Sequence, residues 1–95
     1  MTKKEITRKY REWRKANGNK KPNRVLVNMW WEDESPEDKC VDVIALRSCD
    51  INTENVKDDA GILWYASGLR GLLELTSPDN GSDFVVSEVI EFYKK

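Results

Sequence analysis

Two segments rich in β-branched and aromatic residues, separated by a short acidic turn, constrain the fold of this chain more than any other feature. Residues 24–32 and 40–48 have the composition of β-strands. The connection over 32–39 contains Pro36 and no helical pattern. Because so short a link suits a hairpin and not a crossover, we expect the two strands to pair antiparallel.

The N-terminal segment has the apolar spacing of an amphipathic helix. Ile6, Tyr10 and Trp13 are separated by four and three residues, which places them on one helical face. Thr2 is a suitable N-cap, and Gly18 is a suitable stop just past the last turn. The pattern predicts a helix over 2–17 with an aromatic face for the core.

Charge is distributed unevenly along the chain, although the net charge is only −1. Residues 1–24 carry ten basic and two acidic side chains, a net +8, and the remaining residues carry a net −9. A basic arm on an acidic body is the most informative feature of the sequence. The basic helix either contacts nucleic-acid phosphates or is a solvated face that screens the acidic body of its own chain, and the solvated face is favoured. The candidate nucleic-acid-binding residues are the helix residues opposite the aromatic face, with three that extend them: Lys4, Arg8, Arg11, Lys15, Lys20, Lys21 and Arg24.

The residue patterns in the second half of the chain predict a strand, a helix and a final strand. Residues 62–66 read as a short buried strand, and 68–76 as a helix whose N-cap is Ser67. For 84–93 the β-branched and aromatic content favours a strand, while the spacing of its apolar residues leaves a helix as the alternative.

The whole chain is therefore predicted to be one small α+β domain in the order α-β-β-β-α-β. The domain spans 1–95, with the basic helical arm at 2–17 and the α+β body at 24–93. Its sheet has about four strands and is mostly antiparallel. If strands three and four are parallel neighbours, the crossover between them should be right-handed.

Catalytic and metal chemistry have no support in the sequence. The chain has no histidine, and its two cysteines, Cys40 and Cys49, form no C-x-x-C pair. A partial calcium-loop pattern that begins at Asp50 lacks the glycine and the glutamate that such a loop requires. We expect no enzymatic activity, no catalytic residue, no metal site and no cofactor.

Trp30 and Trp31 are the second candidate site. Adjacent strand residues point to opposite faces, so one ring can enter the core while the other lies on the far side. If exposed, that second ring could stack a base or anchor a partner protein. In the alternative, the N-terminal helix covers one ring, and the second helix covers the opposite face or an edge. Next to it, the acidic turn could dock on a basic surface. The candidate protein-interaction residues are Trp30, Trp31, Glu32, Asp33 and Glu34.

Two functions follow from these patterns. The first is a small non-enzymatic interaction or regulatory module that binds another protein through its sheet or its acidic surface. The alternative is a nucleic-acid-binding accessory protein that uses the basic helix. With no apolar leader and no segment that could span a bilayer, we expect a cytoplasmic location and no membrane partner. An unpaired strand edge would permit dimerisation, and the oligomeric state stays open.

Overall fold

A computed structural model describes residues 1–46 and 65–95. The elements are α1 (Lys3–Ala16), β1 (Arg24–Trp31), β2 (Cys40–Leu46), β3 (Tyr65–Ala66), α2 (Gly68–Glu74) and β4 (Phe84–Tyr93). The prediction of an α+β domain with two helices and a mainly antiparallel sheet is confirmed. The end of the second predicted strand, Cys49, the rejected calcium pattern and most of the third predicted strand lie outside the described residues.

Helix α1 begins and ends where the sequence predicts. The Thr2 hydroxyl accepts a hydrogen bond from the Glu5 amide at 3.2 Å, which satisfies one free N–H of the first turn. Gly18 has a φ of +65°, and the Asn19 amide donates to the Arg14 carbonyl at 2.8 Å. This left-handed exit is the usual reason for a glycine just past a helix.

Strand β1 lies at the centre of the sheet. It pairs antiparallel with β2 on one side and with β4 on the other, and the two-residue β3 pairs parallel with the end of β2. The sheet order is β3-β2-β1-β4, so β3 and β4 lie at opposite edges. A right-handed crossover was expected only if strands three and four were parallel neighbours. Because they are not neighbours, that expectation does not apply.

The segment that could have been a helix, Phe84–Tyr93, is a ten-residue strand. Its pairing with β1 shifts register twice, because Val86 and Glu88 pair with successive β1 residues, as do Val89 and Glu91. Ser87 and Ile90 are the extra residues of two β-bulges. These bulges explain why the apolar spacing of β4 departs from the strict alternation of a regular strand.

The sheet has two unlike faces, which strand register defines. The first face carries Val25, Val27, Met29 and Trp31 of β1 with their partners on β2 and β4, and the second face carries Arg24, Leu26, Asn28 and Trp30 with theirs. Ile6 of α1 and Leu72 of α2 belong to the same buried cluster as the first-face residues. Both helices therefore pack on the first face, with α2 contacting β2 and the edge strand β3. Of the two positions expected for the second helix, the opposite face is wrong.

Candidate interaction surfaces

The solvent side of α1 forms a basic flank, made of Lys4, Arg8, Arg11 and Lys15. All four residues are exposed, as the helical spacing predicts. Arg8 lies 4.0 Å from Glu12 in an exposed i,i+4 ion pair, a geometry that binds weakly in water. The other three have no carboxylate within ion-pair distance among the described residues. Among the described residues, the surrounding surface is lined by the N-cap Thr2 and by α1, so it is an open helix flank and not a cavity.

The three residues predicted to extend this flank do not all join it. Lys20 and Lys21 are exposed in the segment after α1. Lys21 lines a hollow of about 250 Å³ together with Tyr10 and Lys94. Arg24 is half-buried on the second face, opposite the helices, and its Nη1 donates to the Asn23 carbonyl at 2.9 Å. Arg24 therefore lies on the other side of the sheet from α1.

The tryptophan pair separates as predicted from strand geometry. Trp31 packs against the core from the first face, and its ring meets the Phe84 ring edge-on with centroids 5.8 Å apart. Trp30 lies on the second face, in register with Val85, and is half-buried. The structure thus gives the two rings different environments, and Trp30 is the one turned away from both helices.

The β1–β2 turn carries the acidic residues to the end of the sheet. Glu32, Asp33 and Glu34 are exposed, as are Glu37 and Asp38. The turn is held by main-chain hydrogen bonds, from the Glu34 amide to the Trp31 carbonyl at 2.9 Å and from the Glu32 amide to the Asp83 carbonyl at 2.8 Å. A hollow of about 430 Å³ lies between Trp31, Glu32, Asp33 and Asp83. One aromatic wall and three carboxylates give this hollow a negative character.

Apolar residues on the second face complete a surface that the sequence-based interpretation missed. Leu26 pairs with Val43 on the same face as Trp30, with Asn28 between Leu26 and Trp30, and both Leu26 and Val43 are half-buried. Val41 is 58 % exposed, which is unusual for a valine in a strand. The signal was present in the alternation of 24–32 and 40–48, because every second residue shares a face with Trp30. Choosing between the faces required knowing where the helices pack.

Within residues 1–46 and 65–95, no three Cys, Asp or Glu side chains come together as a metal site would require. Cys40 is an exposed free thiol at the start of β2. Neither α1 nor α2 has the length and apolar character needed to cross a bilayer. Comparison of the chain with protein-family models, curated proteins and solved structures gave no match.

Proposed function

We propose that this protein is a non-enzymatic interaction module that binds another protein through the second face of its sheet and the adjoining acidic turn. The observation that carries the proposal is the position of Trp30 on the face that neither helix covers. Tryptophan is enriched among the residues that dominate binding energy at protein interfaces. Because the Trp30 ring is already half-buried, it loses little side-chain conformational entropy when a partner covers it.

Trp30 shares the second face with other apolar residues. Leu26 and Val43 form a cross-strand pair on this face, and Val41 pairs with Asn28, which lies between Leu26 and Trp30. Apolar residues on the same face as an aromatic anchor enlarge the area from which a partner excludes water. The second face therefore offers a rigid platform whose shape is fixed by the hydrogen bonds of the sheet.

Charge selects the partner. Five exposed carboxylates make the β1–β2 turn acidic. The exposed Glu88 and Glu91 of β4 add negative charge along the second face itself. Lys39 is the only basic residue in the turn. Complementary charge accelerates association and disfavours acidic partners. The proposed partner is a protein segment that combines an apolar side chain with lysines or arginines.

The remaining features of the proposal concern the whole chain. We infer a single domain over 1–95, in which the short β3 completes a four-stranded α-β-β-β-α-β arrangement. We also propose a cytoplasmic location and binding without a metal or organic cofactor. Ile6 of the helical arm lies in the same buried cluster as the strand residues of the body, which supports one domain that includes both.

A peptide-display selection tests the proposed function. We expect random peptides selected on the purified protein to be enriched in lysine, arginine and apolar residues. Their affinity should fall at least about tenfold in Trp30→Ala, the loss typical of an interface anchor. Neutralising Glu32, Asp33 and Glu34 together should slow association and reduce its dependence on salt.

Lys4→Gln/Arg8→Gln on the opposite side of the molecule is the matched control and should bind these peptides normally. Melting curves should first establish that Trp30→Ala is folded. Selected peptides that bind parent and Trp30→Ala equally well would refute this function, as would a selection that enriches nothing.

Nucleic-acid binding is the second candidate function, and the exposed basic flank of α1 favours it. Lys4 and Lys15 are eleven residues apart, so the flank is about 16 Å long at a rise of 1.5 Å per residue. Basic residues that neutralise phosphates release counterions, so their affinity falls log-linearly with salt. Glu5 and Glu12 lie beside this flank and weaken its field.

Binding to labelled single- and double-stranded DNA and RNA across a salt series tests this candidate. If α1 contacts phosphates, the double variant Arg8→Glu/Arg11→Glu should abolish binding, while Lys94→Glu/Lys95→Glu should retain much of it. Absence of binding to every probe at low salt would exclude the candidate and leave the flank as a solvated helix face.

A further inference from the structure

Strand β4 is an edge strand, because it pairs with β1 on one side and occupies one end of the sheet order. Ten residues rich in valine, isoleucine and aromatic side chains form it. A long edge of this composition is a template for pairing with a strand of another chain. The contacts along its outer side therefore decide whether the edge is open.

The N-terminal half of this edge is closed by the segment that follows α2. The Val86 amide donates to the Leu75 carbonyl at 2.8 Å, so Leu75 takes the place that a neighbouring strand would occupy. The Asn80 Nδ2 donates to the carbonyls of Phe84 and Leu75, both at 3.2 Å. Main-chain groups at this end of β4 already have partners from their own chain.

The C-terminal half is closed by one side chain from α1. The Lys9 Nζ donates to the Ile90 carbonyl at 2.8 Å and to the Val89 carbonyl at 3.1 Å. Successive carbonyls of a regular strand point in opposite directions, so one ammonium could not bind both. The bulge at Ile90 allows it, because the extra residue interrupts the ladder with β1.

We propose that Lys9 closes this edge against a second copy of the chain, and that without it two β4 strands pair with each other. Two copies related by a two-fold axis present β4 to β4 in antiparallel directions, as a ladder requires. Because the strands are antiparallel, the basic Lys94 end of one lies toward the acidic Glu88 and Glu91 of the other. Lys9 occupies carbonyls in the middle of the stretch where such a pairing would form.

The helix that holds Lys9 makes the closure stable. Tyr10, the next residue, meets the Phe92 ring edge-on with centroids 5.4 Å apart, which fixes α1 beside the end of β4. Lys9 is half-buried, whereas Lys4 on the same helix is exposed. The two lysines therefore provide a matched pair, one at the edge and one in solvent.

Sedimentation velocity over a dilution series tests the closure. Lys9→Met removes the ammonium while keeping an unbranched side chain of similar length. We expect its weight-average mass to rise with concentration towards that of two chains, under conditions in which the parent protein shows no such rise. Lys9→Arg keeps cationic donors and Lys4→Met leaves the edge untouched, so both should sediment like the parent.

Hydrogen exchange locates the contact and separates it from nonspecific aggregation. In associated Lys9→Met, protection should increase at the amides of 88–93 and remain unchanged at 40–46. Lys9→Gln is a milder substitution, and its weight-average mass should also rise with concentration. The closure is refuted if folded Lys9→Met and Lys9→Gln sediment like the parent, if Lys4→Met associates equally, if protection appears elsewhere, or if neither Lys9 variant folds.

Discussion

Along β1, the two faces of the sheet carry similar apolar residue types but differ in how deeply those residues are buried. On β1, Val25, Val27 and Met29 are completely buried, while Leu26 and Trp30, which alternate with them, are half-buried. Both helices contribute to the cluster around the first face. The difference shows that apolar character alone does not place a strand residue in the core. The position of the helices decides which half of the alternation on β1 is completely buried.

Introducing a carboxylate on each face should produce the largest difference in unfolding free energy between the two faces. Val27→Asp places a carboxylate in the core with no partner, and we expect a loss above about 4 kcal/mol, enough to unfold a small domain. The adjacent change Leu26→Asp lies on the half-buried face and should cost about 1 kcal/mol. Urea unfolding followed by circular dichroism measures both, and equal losses would show that the two faces are buried alike.

Trp13→Ala tests whether the first face depends on α1. Trp13 is partly buried against the core cluster, so we expect a loss of about 2 kcal/mol, below that of a fully buried tryptophan. The control is Lys15→Ala on the exposed flank, which should change the unfolding free energy by at most about 0.5 kcal/mol. A Trp13 variant that melts like the parent would count against the packing of this helix.

Asn80→Ala tests how the first face is held at its edge. Its side-chain oxygen accepts from the Ser82 amide at 2.6 Å, and its Nδ2 bonds the two carbonyls at the start of β4. Losing these contacts should cost about 1–2 kcal/mol in thermal or urea unfolding. Asn80→Asp keeps the acceptor but turns a carboxylate oxygen towards the two carbonyls that Nδ2 binds. Because these oxygens repel each other, its stability should fall at least as far as that of the alanine variant.

Val41→Ser should have the smallest effect on stability. Because Val41 is 58 % exposed, we expect its unfolding free energy to change by at most about 0.5 kcal/mol. Affinity for peptides selected on the second face should nevertheless fall. A clear loss of stability would mean that this part of the second face supports the fold.

Local patterns in the sequence predict the elements of this fold well. The caps at Thr2 and Gly18 and the spacing of Ile6, Tyr10 and Trp13 place α1 within a residue at each end. These signals depend on neighbours along the chain, which is why they can be read without a structure. The strand order depends instead on pairing between distant segments, and nothing local to β4 identifies β1 as its partner.

The candidate surfaces show the same difference between features local to one element, which the sequence predicts, and features that join distant segments, which it does not. Helical periodicity predicts the exposure of Lys4, Arg8, Arg11 and Lys15, because all four lie on one element. Arg24 was grouped with them by sequence proximity, although the chain has crossed to the second face by that residue. The role of Lys9 could not be predicted, since its acceptors are eighty and eighty-one residues away.

The central position of β1 also has a consequence for the order of folding events. Its pairing with β2 joins nearby residues, but its pairing with β4 joins Trp31 to Phe84 and Arg24 to Tyr93 across a long stretch of chain. Closing so long a loop costs more entropy than closing a hairpin. During synthesis, the hairpin leaves the ribosome before β4 does, so one edge of β1 is then still unpaired. Pairing along this edge is complete only after Tyr93, the partner of Arg24, has emerged.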